Sequence, residues 1–164
     1  MKRTLQILNR LERDGVLSRY AIGGAMAAMF YIEPISTFDL DVFVILPQQG
    51  ALLTLAPIYD ALSGMGYPAE AECVVIEGTP VQFLPAYNAL LEEALAGARE
   101  MYYEDEPTRA LTVEHLIAIC LQTGRGKDRE RARLFSKEAK IDQAALQTIL
   151  SKFGLTERWR QWIQ

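Results

Sequence analysis

The chain has 164 residues, of which half are hydrophobic and 23% charged, with a formal net charge of −4. That composition suits one well-packed domain, or an α/β core with a helical appendage, and excludes a disordered chain. No apolar run approaches the ~20 residues of a membrane-spanning helix, and the segment after Met1-Lys2-Arg3 is amphipathic, so a soluble cytoplasmic protein without a membrane partner is expected. Cys73 and Cys120 lack metal-ligand spacing and read as free thiols, and one histidine, His115, leaves little material for a zinc site or a histidine-based dyad. Charge is unevenly spread. Up to Cys120 there are seven basic and sixteen acidic residues; from Leu121 there are ten basic and five acidic. That asymmetry predicts two parts, an α/β core over residues 1–106 and a helical C-terminal subdomain over 107–164 packed on it.

In chain order, Leu5, Leu8 and Leu11 at helical spacing predict a helix over Arg3–Arg13 that stops near Gly15. A short strand, Arg19–Ile22, breaks at Gly23-Gly24 before the helix formers Ala25–Phe30. Phe38–Leu46 reads as the next strand. Pro47–Gly50 forms a turn, and Leu52–Leu62 a second flanking helix, with Pro57 counting against a straight one. Tyr67–Ile76 reads as a strand, Glu77-Gly78-Thr79-Pro80 as a turn and Val81–Leu84 as its partner strand. Asn88 caps a helix over Ala89–Ala98. Glu100–Arg109, acidic and Tyr-rich, reads as the connection between the two parts, with a short edge strand at Met101–Tyr103. Thr112 caps a helix to about Leu121, Lys127–Ala139 forms another, and Asp142 caps a third that stops at Gly154. Thr156 opens a last turn around Trp159 and Trp162. There is no internal repeat.

The chemistry concentrates between Tyr20 and Leu46. Asp39 and Asp41 interrupt an apolar strand, and alternation places both carboxylates on one face. Without a counter-charge they repel and raise each other's pKa; a Mg²⁺-type cation, which takes oxygen ligands and often only one or two protein carboxylates, resolves the conflict. Gly23-Gly24 supplies a second element, because strand, paired glycines and helix form an arrangement that lets an anion approach backbone N–H groups. A carboxylate pair beside an anion cradle suits nucleoside triphosphate chemistry.

Ile22-Gly23-Gly24, a short helix, and then Asp39-Leu40-Asp41-Val42 resembles the signature of the DNA polymerase beta-type nucleotidyltransferase superfamily. Thr37 also matches its small bacterial members, which include minimal and abortive-infection toxin-like nucleotidyltransferases. The resemblance implies an α/β (α+β) fold, a nucleotidyltransferase-like twisted mixed sheet with flanking helices and a helical C-terminal part. It implies Mg²⁺, or Mn²⁺, held by Asp39 and Asp41. Lys127-Asp128 is similar to a Lys-Asp pair on a helix beside the active site, which makes Asp39, Asp41 and Lys127 the expected catalytic residues. Gly23, Gly24, Thr37 and Lys127 are the expected nucleotide-binding residues. Arg125 can reach the same cleft, whereas Arg131 and Arg133 read as a solvated face.

The family's third carboxylate sits on a later strand. Here the matching strand, Val81-Gln82-Phe83-Leu84-Pro85, offers Gln82 at that position, an amide without charge or basicity. Glu70, Glu72 and Glu77 are the acids able to replace it, with solvation as their ordinary role. The expected function is therefore Mg-dependent transfer of a nucleoside monophosphate from an NTP, ATP among them, to an acceptor that is protein, RNA or a small molecule. The alternative set by Gln82 is a catalytically silent module that binds a nucleotide or a protein partner, as in a toxin–antitoxin pair. His115 reads as an assistant to the Thr112 cap, and Tyr102, Tyr103, Trp159 and Trp162 as packing groups.

Overall fold

The computed structural model describes residues 1–33, 36–47, 54–70 and 73–164. Its elements in chain order are α1 (Lys2–Arg13), β1 (Arg19–Ile22), α2 (Gly24–Ala28), β2 (Leu40–Ile45), α3 (Ala56–Gly64), β3 (Ala69–Glu70), β4 (Cys73–Ile76) and β5 (Thr79–Pro85). There follow α4 (Ala89–Ala96), β6 (Arg99–Tyr103), β7 (Glu106–Ala110), α5 (Val113–Thr123), α6 (Gly126–Glu138), α7 (Gln143–Lys152) and α8 (Thr156–Ile163). The strands form one mixed sheet in the order β3-β4-β5-β2-β1-β7-β6. β2 and β5 run parallel in its centre, β1 is antiparallel to β2, and β7 joins β1 in parallel.

Strand alternation gives the sheet two unlike faces. Leu40, Val42 and Val44 of β2, with Val81 and Phe83 of β5, are buried. This face carries α1 and α3: the Tyr20 hydroxyl donates to Asn9 of α1 at 2.6 Å, and Tyr59 of α3 meets Phe83 edge to face. Leu5, Leu8 and Leu11 of α1 are fully buried, as their spacing predicts. The opposite face of β2 and β5 presents Asp41 and Phe43, in register with Gln82 and Leu84. A cleft opens there, walled by α5 and the start of α6.

Local signals account for the helix starts. Asn88, Thr112 and Asp142 each accept a backbone N–H from the residue three positions on, namely Leu91, His115 and Ala145. Pro57 lies in the first turn of α3, where its missing N–H has no partner to lose, so it starts this helix instead of bending it. Gln48 to Leu53, on which most of the expected Pro47–Gly50 turn and the first residues of the expected Leu52–Leu62 helix fall, lie outside the described residues.

Two expectations for strands need correction. Tyr67–Ile76 is not one strand: β3 and β4 pair antiparallel with each other, Ala69 opposite Val74. Glu100–Arg109 is not a connection but most of the β6–β7 hairpin, which completes the sheet. Arg109 explains how so charged a segment is accommodated. Its guanidinium donates to both Glu12 oxygens at 2.8 and 3.0 Å and to the Tyr20 carbonyl at 2.9 Å, tying β7 to α1 and β1. The sheet thus runs to Ala110, past residue 106, and the helices follow Thr112. Among the described residues no helix is long and apolar enough to cross a membrane.

Candidate active site

Asp39 ends the segment before β2 and Asp41 lies within it, and both line one cleft of about 550 Å³. Thr37, Gly24, Gln82, Arg125, Lys127, Asp128 and Arg131 line the same cleft, whereas Gly23 does not. The Thr37 hydroxyl donates to the Asp39 carboxylate at 3.0 Å and lies 3.3 Å from its carbonyl, so Thr37 orients Asp39. Burial pushes the Asp41 carboxyl above its ordinary pKa, and the charge of Asp39 adds to the rise; Arg131, Lys127 and Arg125 pull the other way.

The glycines have distinct jobs. Gly23 donates its backbone N–H to the Asp41 carbonyl at 2.9 Å, and a Cβ there would lie 2.2 Å from the Phe43 ring. It is glycine because the sheet packs against it. Gly24 has φ +58, and its Cβ would lie 1.7 Å from Asp41 Oδ2. Its backbone makes room for the carboxylate itself. Gly24→Ala is therefore expected to lower the melting midpoint, with about 1–2 kcal/mol from the left-handed backbone alone, and to displace Asp41. A melting experiment with and without Mg²⁺ and NTP checks both effects; an unchanged midpoint and an unchanged ligand response would contradict this account of Gly24.

The cations come from the start of α6. Asp128 is buried and accepts the Arg125 backbone N–H at 3.3 Å together with its guanidinium at 2.7 and 3.2 Å, which closes the helix start and holds Arg125. Lys127 lines the cleft and makes no ion pair with a described residue. Arg131, one turn further on, corrects the sequence reading. Its side chain is only 17% exposed, its Nη1 is 3.9 Å from Asp128, and its buried Nε has no hydrogen-bond partner among the described residues. Arg133 does stay on the solvated face, where it donates to the Trp162 carbonyl at 2.7 Å. The spacing from Lys127 to Arg131, i to i+4, was the signal that the two share a helix face.

Gln82 stands beside Asp41 in the β2–β5 register and faces the cleft. Of the acids considered as substitutes, Glu77 sits at the β4–β5 turn, hydrogen-bonded by the Tyr67 hydroxyl and 3.6 Å from Arg3, and does not line the cleft. Glu72 and the side chain of Glu70 lie outside the described residues. Among those described, no cluster of three or more His, Cys, Asp or Glu is placed to hold a metal. Cys120 also lines the cleft, but burial pushes its thiol pKa up to about 12, so it keeps its proton and is no nucleophile at neutral pH.

The donor set fits Mg²⁺. Mg²⁺ needs few protein carboxylates when phosphate oxygens and water fill its other positions, and Asp41 is a partly desolvated acid next to a second acid. Asp39 and Asp41 open into a cleft large enough for a phosphorylated ligand. His115 is elsewhere. Its Nδ1 is 2.9 Å from the Thr112 hydroxyl, in keeping with the capping role.

The seven-stranded mixed sheet with helices on both faces is a nucleotidyltransferase-like fold. Among solved structures, the antibiotic-resistance factor ANT(2'')-Ia, whose solution structure is described as revealing substrate-regulated conformation dynamics, is similar over 98% of this chain and 96% of its own. The TM-score is 0.54 at 16% identity. CdnC of E. coli MS115-1, solved with ATP, is similar over 83% of this chain and 47% of its own, with a TM-score of 0.37 at 15% identity. No protein-family model and no curated protein matches the chain.

Proposed function

We propose that the protein transfers a nucleoside monophosphate from an NTP to an acceptor oxygen, with release of pyrophosphate. The observation that carries this reading is the placement of Asp39 and Asp41 in one cleft with Gly24, Lys127 and Arg131. Mg²⁺, when bound, would polarise the phosphoryl oxygens and neutralise their charge. Asp39, oriented by Thr37, and Asp41, seated against Gly24, would hold it. Lys127 and Arg131 approach as cations from α6 and line the cleft, where their charged N–H groups would meet phosphate oxygens. Gln82 can donate a hydrogen bond to an acceptor or accept one from it, but it takes no proton.

Removing either cation is expected to weaken NTP binding. Arg131→Met should cost about tenfold or more, because a charged hydrogen bond made by a shielded group is lost, and Lys127→Ala less, because Lys127 is exposed. Calorimetric titration with Mg²⁺ and a non-hydrolysable NTP checks the order; equal affinity in both variants and the wild type would contradict it.

Gln82 favours a second reading, a nucleotidyltransferase fold that binds a nucleotide or a protein partner without turning it over. One experiment separates the two. Thermal melts with Mg²⁺ and each NTP, run beside a pyrophosphate assay, give binding with release for the enzyme and binding alone for the module. No binding of any NTP defeats both nucleotide readings.

A further inference from the structure

Of the two outer strands of the sheet, β3 spans two residues and β6 five. A long open edge is a template for another strand, and proteins commonly blunt it with lysine, proline or a bulge. β6, Arg99-Glu100-Met101-Tyr102-Tyr103, has neither lysine nor proline and pairs with β7 residue for residue, without a bulge. Tyr102 is 66% exposed and Tyr103 40%, and the side chains of Arg99, Tyr102 and Tyr103 make no hydrogen bond or ion pair with a described residue.

The pairing with β7 decides which backbone groups of β6 are spare. Along an antiparallel ladder, pairs that exchange both hydrogen bonds alternate with pairs that turn theirs away from each other. Tyr102 stands opposite Pro107, which has no N–H to exchange, so theirs is a pair of the second kind. Tyr102, and Glu100 two residues before it, therefore point N–H and C=O out of the sheet. Arg99, Met101 and Tyr103 direct theirs to Ala110, Thr108 and Glu106.

We infer that this edge takes a second copy of the same chain, β6 against β6 in antiparallel, on a twofold axis through Met101. Three registers bring the outward groups of two such strands together, with the axis on Glu100, Met101 or Tyr102. An axis on Glu100 sets that acid against itself, and one on Tyr102 sets Glu100 against Glu104 of the second copy; like charges directly opposite destabilise a strand pair. With the axis on Met101, Glu100 of each copy exchanges both bonds with Tyr102 of the other, and no outward group between them is left over. Arg99 then lies opposite Tyr103 of the second copy, whose ring face attracts a guanidinium. The contact is one strand long, so the dimer is reversible. It does not rest on the nucleotide reading, because β1 and β7 stand between β6 and the strands that carry the cleft.

A residue on a twofold axis faces its own copy, and this supplies the test. Met101→Lys and Met101→Glu each set like charges face to face, while a mixture of the two sets opposite charges there. Sedimentation velocity on the full wild-type chain at rising concentration should show the mass climb from one chain to two. Each variant alone should associate more weakly, on the order of tenfold or more, and an equimolar mixture should recover the dimer. Amide exchange on the wild type needs no variant: concentrating the protein should slow exchange at Glu100 and Tyr102 and leave Met101 as it was. A wild type that stays a single chain at every concentration would overturn the inference. So would a dimer that persists in both variants, a mixture that associates no better than either alone, or exchange at Glu100 and Tyr102 that concentration does not change.

Discussion

Gln82→Asp is expected to bind Mg²⁺ or Mn²⁺ more tightly than the wild type and, with a hydroxyl acceptor present, to raise nucleotidyl transfer by the ~10²–10⁴-fold that a positioned general base contributes. The register sets Gln82 directly across from Asp41 on parallel strands, and both side chains face the same cleft. A charged oxygen there adds a metal ligand and a proton acceptor where an amide supplies neither. In the metal-free protein the same change should destabilise, since a third acid would crowd a pair in which Asp39 already raises the Asp41 pKa. The two signs together are diagnostic: lower stability without metal, tighter binding with it. Unchanged metal affinity and unchanged stability would show that position 82 does not act on the site.

Asp41→Asn should have the opposite pair of effects. Loss of a ligand is expected to weaken Mg²⁺-dependent NTP binding on the order of 10²-fold or more, given that even groups behind the ligands cost 10–100-fold. Its effect on stability follows from the direction of the pKa shift. A carboxyl raised in the folded state favours folding when protonated, so that contribution is present in full below the unfolded-state pKa and is lost as pH rises through the raised value. At neutral pH the metal-free Asp41→Asn variant should therefore melt at or above the wild type. Below about pH 4 the two should converge, because both side chains are then neutral. Melting curves across that range check it, and a variant less stable than the wild type at neutral pH would contradict this account of Asp41.

Much of this was legible in the sequence because it is local. Caps at Asn88, Thr112 and Asp142 announce helices through a single side chain three residues from its N–H partner. Alternation along β2 likewise sets Asp41 on the cleft face, whereas Asp39, just ahead of the strand, reaches the cleft from the bend that Thr37 holds. What the sequence concealed depends on distant partners. The β6–β7 hairpin carries Glu, Asp, Arg and Pro that argue against a strand, and it is accommodated at the sheet edge, with Arg109 neutralised by Glu12 of α1. β3 and β4 read as one strand because Tyr67–Ile76 contains no Gly, and its one Pro stands ahead of both strands. Arg131 sits in a run of charges that looks uniformly solvated, and only the packing of α6 against α5 turns it inward while Arg133 stays out. Gly23 and Gly24 were legible as a turn between strand and helix, but not the contacts that require them, one a ring of β2 and the other the Asp41 carboxylate.

The central claim is that Asp39 and Asp41 hold a divalent cation together with a nucleotide. Electron paramagnetic resonance of Mn²⁺ measures it directly, because the free ion's signal disappears when protein takes it up. With a non-hydrolysable NTP present beyond what chelates the ion, the wild type should give a bound-ion spectrum distinct from that of the nucleotide complex alone, and Asp39→Asn and Asp41→Asn should each abolish it at an intact fold. A bound-ion spectrum that persists unchanged in both variants would place the metal elsewhere and remove the basis for nucleotidyl transfer at this cleft.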